Sequence, residues 1–209
     1  MTILLSDPRV AAVPVLECGE PLVSLPETFG PARALVRHNV AGRLAAAQKI
    51  LPGGLRLRVV EGHRSVTDQR AIIARYSADV CAARPGVSPG DLERLVSRYV
   101  APVEVAPHVA GAAVDLTLVD ADGHEVDMGS ALDATPEQSA GACYFGAPGI
   151  NKYARSHRRL LAYVLTRSGF VNYPTEWWHW SYGDRYWALL TGAAVAPYGP
   201  VARSAGVAA

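Results

Sequence analysis

Hydrophobic positions along the chain fall into helical and extended periods that predict a series of short elements. Leu35, Val36, Val40, Leu44 and Ala47 recur near 3.6 residues and predict a helix over 32–51, stopped by Pro52-Gly53-Gly54. Leu55, Leu57 and Val59 then alternate with Arg56, Arg58 and Val60, which reads as a strand. Ser65-Val66-Thr67-Asp68 has the form of a capping box and opens a helix through Ala71, Ile72, Arg75 and Val80. Ser88-Pro89-Gly90-Asp91 opens another, with Leu92, Leu95, Val96 and Tyr99 on its buried face. Residues 113–119 read as a buried strand, Asp122-Gly123 as a hairpin turn, and 124–128 as a short return strand. The run 151–168 is strongly helical, with Leu160, Leu161, Val164 and Leu165 inward and Gly169 past its end. Residues 177–182 are aromatic and strand-like, and 184–190 form a last short helix.

The ends are less patterned. Residues 1–30 hold several prolines and read as an extended arm with a short strand around 13–16. Beyond Gly192 the chain is rich in small residues, and 193–209 is expected to be a mobile tail. Strands and helices do not alternate as in a parallel array. The expected fold class is therefore α+β, an antiparallel central sheet flanked by helices, in one domain over 1–192.

Composition narrows the function classes. The 209 residues are half hydrophobic, enough for a core without disulfides. Net charge is +1, from 20 basic and 19 acidic residues, which gives no reason to expect nucleic acid or an anionic membrane as partner. Cys18, Cys81 and Cys143 are odd in number and lack CxxC spacing, so neither a disulfide framework nor a cysteine metal site is indicated. No apolar run reaches about 18 residues, and the N-terminus lacks a secretory pattern. A cytoplasmic location is the expectation.

Two segments stand out chemically. His108 precedes Asp115 by seven residues, and Asp115 lies inside the apolar run Ala-Ala-Val-Asp-Leu-Thr-Leu. A carboxylate buried there needs a partner, either a metal ion or an Arg or turn amide. Glu176-Trp177-Trp178-His179-Trp180 places an acid and a His three apart among water-excluding aromatics. That pattern fits either a hydrogen-bonded core His or a low-dielectric reaction site. Residues three apart on a strand face opposite sides, so a shared site requires Glu176 to lie in the turn before the strand, near Pro174. Together the segments supply two His and one Asp as ligands plus a spare Glu, the stock of a catalytic zinc site. Arg64, in Glu61-Gly62-His63-Arg64, is either a surface Arg or an oxyanion stabiliser.

The order of EGHR (61–64), HVAGAAVDLTL (108–118), DMGSALD (127–133), RRLLAYVLTRSGF (158–170) and EWWHW (176–180) resembles the VanX-type D-alanyl-D-alanine dipeptidases. These are zinc peptidases that share a fold with the hedgehog amino-terminal domain. The resemblance implies one Zn2+ per chain on His108, Asp115 and His179, Glu176 as general base and Arg64 as transition-state stabiliser. It also implies that Asp133 receives the ammonium group of a small peptide substrate. Rival expectations are a D,D- or L,D-carboxypeptidase or wall peptidase of the same fold, and a zinc-binding module without activity. The sequence departs from the family at Ala106, where a Ser is usual, and at His63 and Ser65 in place of Tyr and Pro. It also has no evident counterpart of the family's N-terminal Trp-Asp-Asn-Phe motif.

Overall fold

The computed structural model describes residues 2–201. Its elements in chain order are α1 (Pro8–Ala12), β1 (Leu22–Ser24), β2 (Leu35–Arg37), α2 (His38–Ile50), β3 (Arg56–Glu61), α3 (Val66–Ala83), α4 (Pro89–Val96), β4 (Ala113–Val119), α5 (Lys152–Arg167), β5 (Val171–Asn172), β6 (His179–Ser181) and α6 (Arg185–Thr191). Strands β1 and β2 form an antiparallel pair, and β3-β4-β6-β5 form an antiparallel sheet. This is the expected α+β architecture. No described helix is long and apolar enough to cross a membrane.

Local chemistry explains the helix boundaries. The Ser65 and Ser88 hydroxyls accept hydrogen bonds from the amides of Asp68 and Asp91, starting α3 and α4, with Pro89 in the first turn of α4. The Asn151 side chain caps α5 through the amides of Tyr153 and Ala154. Gly169, at φ 88, follows its end.

Alternation along β4 divides the sheet into two faces. Val114, Leu116 and Leu118 point into the main core, where α2 packs Val40 and Leu44 and α5 packs Leu161 and Val164. Each fully buried side chain of this size contributes about 1.5–3 kcal/mol of transfer free energy. Asp115 points to the other face. Strand β6 repeats the division, with Trp180 in the core and His179 opposite.

Several expectations change. Leu35–Arg37 is a strand rather than the start of α2, because Leu35 and Val36 pair with β1. Residues 124–128 make a single bridge, Val119 with Glu125, and no return strand. Residues 13–16 contribute one bridge, Val15 with Ala196. That bridge belongs to the segment expected to be mobile: residues 193–201 are packed, with Ala196 and Tyr198 buried and Tyr198 joined to the main core. These two apolar anchors act with backbone hydrogen bonds to residues 14–18 and with the Arg37 guanidinium, which donates to the Gly199 carbonyl. Residues 202–209 lie outside the described residues.

Candidate active site

Pairing register brings the site together. Strand β4 pairs Asp115 with His179 of β6, and with Glu61 of β3 across an irregularity between Val59 and Glu61. The extra residue on β3 places Glu61 opposite Asp115. Glu61, Asp115 and His179 therefore form one row across three strands. His108 reaches the row from the turn before β4. Its Nδ1 donates to the carbonyl of Gly62 at 2.8 Å, which leaves the Nε2 lone pair facing Asp115. Gly62 is required there: a Cβ would lie 2.4 Å from the Leu35 carbonyl oxygen.

The donor atoms converge. His108 Nε2 lies 3.1 Å from His179 Nδ1 and 3.2 Å from Asp115 Oδ2, and His179 Nδ1 lies 3.0 Å from Asp115 Oδ1. All three residues are buried. Two imidazole nitrogens and a carboxylate suit zinc, and bonds of about 2.0–2.1 Å in a tetrahedron put ligand atoms roughly 3.3 Å apart. The observed separations fit that spacing, so the residues present fit the ion. Burial pushes the Asp115 carboxyl up, but the two imidazoles outweigh it and hold it well below the carboxylate range. Burial likewise lowers His108, and Asp115 more than restores it, so that its net shift is upward.

Glu176 sits in the turn before β6, as the spacing required. The Asn172 side chain holds this turn by donating to the carbonyls of Glu176 and His179, each at 2.9 Å. The Glu176 carboxylate lies 3.8 Å from His179 Nδ1 and is buried. Burial first, then repulsion from Asp115 and Asp133, push it well above the usual range. That is the direction a proton-accepting carboxylate near neutral pH needs.

The same residues line one cavity of about 220 Å³ with Arg64, Glu61, Gln69, Tyr99 and Tyr173. Arg64 is clamped: Nε and one terminal nitrogen bond the Glu61 carboxylate, and the other bonds Gln69 Oε1 at 2.9 Å. Three of its five N–H groups are used, leaving one free on each terminal nitrogen. Asp133 lines the cavity from the loop after Gly129, at φ 62, and the Tyr99 hydroxyl donates to its backbone carbonyl at 2.6 Å. Partial desolvation, reinforced by Asp115 and Glu61, pushes its carboxyl up to about 6. The structure thus brings all six expected residues to one cavity.

Sequence reasoning missed Glu61, Gln69, Tyr99 and Tyr173. Glu61 lay in plain view three residues before Arg64, but its position opposite Asp115 is set by the β3 irregularity. Gln69 offered a weaker signal, one turn into α3.

A family model described as D-Ala-D-Ala dipeptidase matches residues 27–191. The chain belongs to this peptidase family, and it is a hydrolytic enzyme. It is 27% identical over 217 residues to a D-alanyl-D-alanine dipeptidase of Synechocystis sp., covering 85% of this chain and 87% of that one. A D-alanyl-D-alanine dipeptidase of Enterococcus faecium is 38% identical over 96 residues, covering 45% of each. Among solved structures, VanYB in complex with D-alanine-D-alanine superposes with a TM-score of 0.51 at 17% identity, covering 89% of this chain and 94% of that one. That likeness speaks to the fold.

Proposed function

We infer that the chain is a zinc dipeptidase acting on D-Ala-D-Ala or a closely related small dipeptide, with one ion held by His108, Asp115 and His179. The observation that carries this reading is the convergence of those three donors beside the buried carboxylate of Glu176, 3.8 Å from His179 Nδ1, in a small cavity. Zinc held there would supply a Lewis acid for the scissile carbonyl and would lower the pKa of a water. Glu176 takes the proton from the attacking water and delivers it to the leaving amine. The two free N–H groups of Arg64 face the developing oxyanion, and the Glu61 clamp fixes the plane in which they point. Asp133 pairs with the substrate ammonium.

A small substrate suits the cavity of about 220 Å³, to which the loop over 128–147 contributes Asp133. That loop is sewn to the Glu176 turn by hydrogen bonds from Trp177 Nε1 to Ser130 Oγ, Trp177 N to the Cys143 carbonyl and Phe145 N to the Pro174 carbonyl. Neither Glu176 nor Arg64 is needed merely to hold an ion, which favours an enzyme over a non-catalytic zinc module. The cytoplasm remains the proposed location. The test is zinc content and dipeptide turnover, with and without chelator. About one zinc per chain and chelator-sensitive hydrolysis are expected. A metal-free chain that still cleaves D-Ala-D-Ala overturns the reading.

A further inference from the structure

Asp133 lines the cavity from a thinly tied stretch of its loop. Its backbone is left-handed, at φ 62, a conformation that a residue with a Cβ keeps only when its surroundings hold it. Among the described residues, a single hydrogen bond reaches residues 132–134, from the Tyr99 hydroxyl to the Asp133 carbonyl at 2.6 Å. The turn that follows is tied within itself, by the Thr135 amide to Gln138 Oε1 and the Gln138 amide to Thr135 Oγ1.

The other end of that bond is well fixed. Beyond α4 the chain keeps a turn in which the amides of Tyr99 and Val100 both donate to the Val96 carbonyl, at 3.0 and 2.8 Å. Val96 and Val100 are buried. The Tyr99 ring packs against the main core and against Tyr76 of α3, with ring centroids 5.0 Å apart. Tyr76 in turn donates its hydroxyl to Glu137 Oε2 at 3.3 Å. Two stacked phenols on the α3–α4 pair therefore reach one loop, the first at Asp133 itself and the second four residues on.

We propose that Tyr99 is a positioning residue for substrate recognition, whose hydroxyl holds the Asp133 carbonyl and so keeps the left-handed turn that presents the Asp133 carboxylate to the cavity. This rests on the ammonium-binding role proposed for Asp133. The carbonyl carbon and Cβ are bonded to the same Cα, so anchoring one limits where the other points. A charge-assisted bond to an ammonium needs about 2.7–2.9 Å, and a small rotation at Asp133 forfeits it.

The test is steady-state kinetics of the zinc-loaded full chain on D-Ala-D-Ala. Tyr99→Phe keeps the ring on Tyr76 and the core and loses only the hydroxyl. It should retain zinc, raise KM roughly five- to tenfold, as for one lost hydrogen bond, and leave kcat within about threefold. Tyr76→Phe removes a hydroxyl contact to the same loop but none to Asp133, and its KM should stay within about twofold of wild type. The double variant Tyr99→Phe/Asp133→Asn should have a KM no higher than Asp133→Asn alone, because Tyr99 acts through Asp133. Equal rises in KM for Tyr99→Phe and Tyr76→Phe would assign the effect to general loosening of the loop and overturn the proposal. Additive effects in the double variant overturn it as well, since Tyr99 would then act on the substrate independently of Asp133. So does a Tyr99→Phe chain with wild-type KM while Asp133→Asn is impaired. A wild-type KM in Asp133→Asn instead overturns the ammonium-binding role on which the proposal stands.

Discussion

The two halves of the cavity are built in different ways. The metal-side half rests on the sheet: Asp115 and His179 are cross-strand neighbours, and His108 is pinned to the Gly62 carbonyl. The recognition half rests on a loop. Residues 128–147 carry Asp133 at φ 62 and Ala140 at φ 48, with no strand pairing. Beside its hydrogen bonds to the Glu176 turn, one buried cation anchors the loop at several carbonyls. Arg158 of α5 donates to the carbonyls of Met128, Ala142, Tyr144 and Phe145 at 2.6–3.3 Å, with its guanidinium 5.5 Å from the Trp177 ring. Ladder geometry leaves ligands little freedom, whereas a loop held at a few anchors can change its sequence between them. Such an arrangement keeps the reaction fixed while the substrate contact varies.

The sharpest break in this comparison comes from the sheet half. Asp115→Ala should lose zinc and all measurable hydrolysis, because the two imidazoles then face each other with no carboxylate between them. Glu176→Gln should keep zinc and lose activity by about a hundredfold or more, as for removal of a positioned base. Metal analysis beside kinetics separates the two, and zinc retained in Asp115→Ala would remove that residue from the ligand set. Arg64→Lys should lower kcat by roughly ten- to a hundredfold, since an ammonium with three N–H donors cannot give two to Glu61 and still present two to the oxyanion. An effect confined to KM would recast Arg64 as a substrate-carboxylate binder.

The loop half should break differently. Arg158→Met leaves several carbonyls without their donor in a buried place, a cost of about 3 kcal/mol or more. The thermal midpoint should fall, zinc should stay, and the preference for free over acetylated dipeptides should drop together with a raised KM. Zinc lost along with the preference would show that the loop supports the sheet half as well.

The same division governs what could be read in the sequence. Strand β4 was bounded correctly because an apolar run holding one carboxylate is a local signal, and the starts of α3, α4 and α5 were placed because Ser65, Ser88 and Asn151 announce them, although α4 ends at Val96, before the Tyr99 expected on its face. Strand β2 was absorbed into a helix because Leu35, Val36 and Val40 satisfy the helical period, and only pairing with β1 favours the extended form. The packed segment 193–201 escaped notice since its partners, Val15 and the main core, are remote in sequence. The proposed metal and acid–base residues were legible because their chemistry is rare among aromatic and aliphatic neighbours. Glu61 was not, because strand register, rather than residue type, gives it meaning.

The smallest expected effect concerns Asp133 and tests whether the recognition half trades stability for function. Desolvation, with the nearby Asp115 and Glu61, pushes its carboxyl from the ordinary 3.8 up to about 6. Between those values the folded metal-free chain holds a proton that the unfolded chain has released. Folding there takes up a proton, so this residue's contribution to stability falls as pH rises from about 4 to 6 and stays lost above. Asp133→Asn removes the charge. It should raise the thermal midpoint of the zinc-free chain at pH 7 and leave it unchanged at pH 4. Zinc on Asp115 offsets part of the repulsion, so the gain should shrink in the loaded protein. The variant should also lose about tenfold of its discrimination between free and acetylated dipeptides, because a neutral amide pairs poorly with an ammonium. A variant no more stable than wild type at pH 7 would mean that the carboxyl is not crowded. Equal turnover of free and acetylated dipeptides by the wild-type chain would remove Asp133 from recognition and favour a carboxypeptidase.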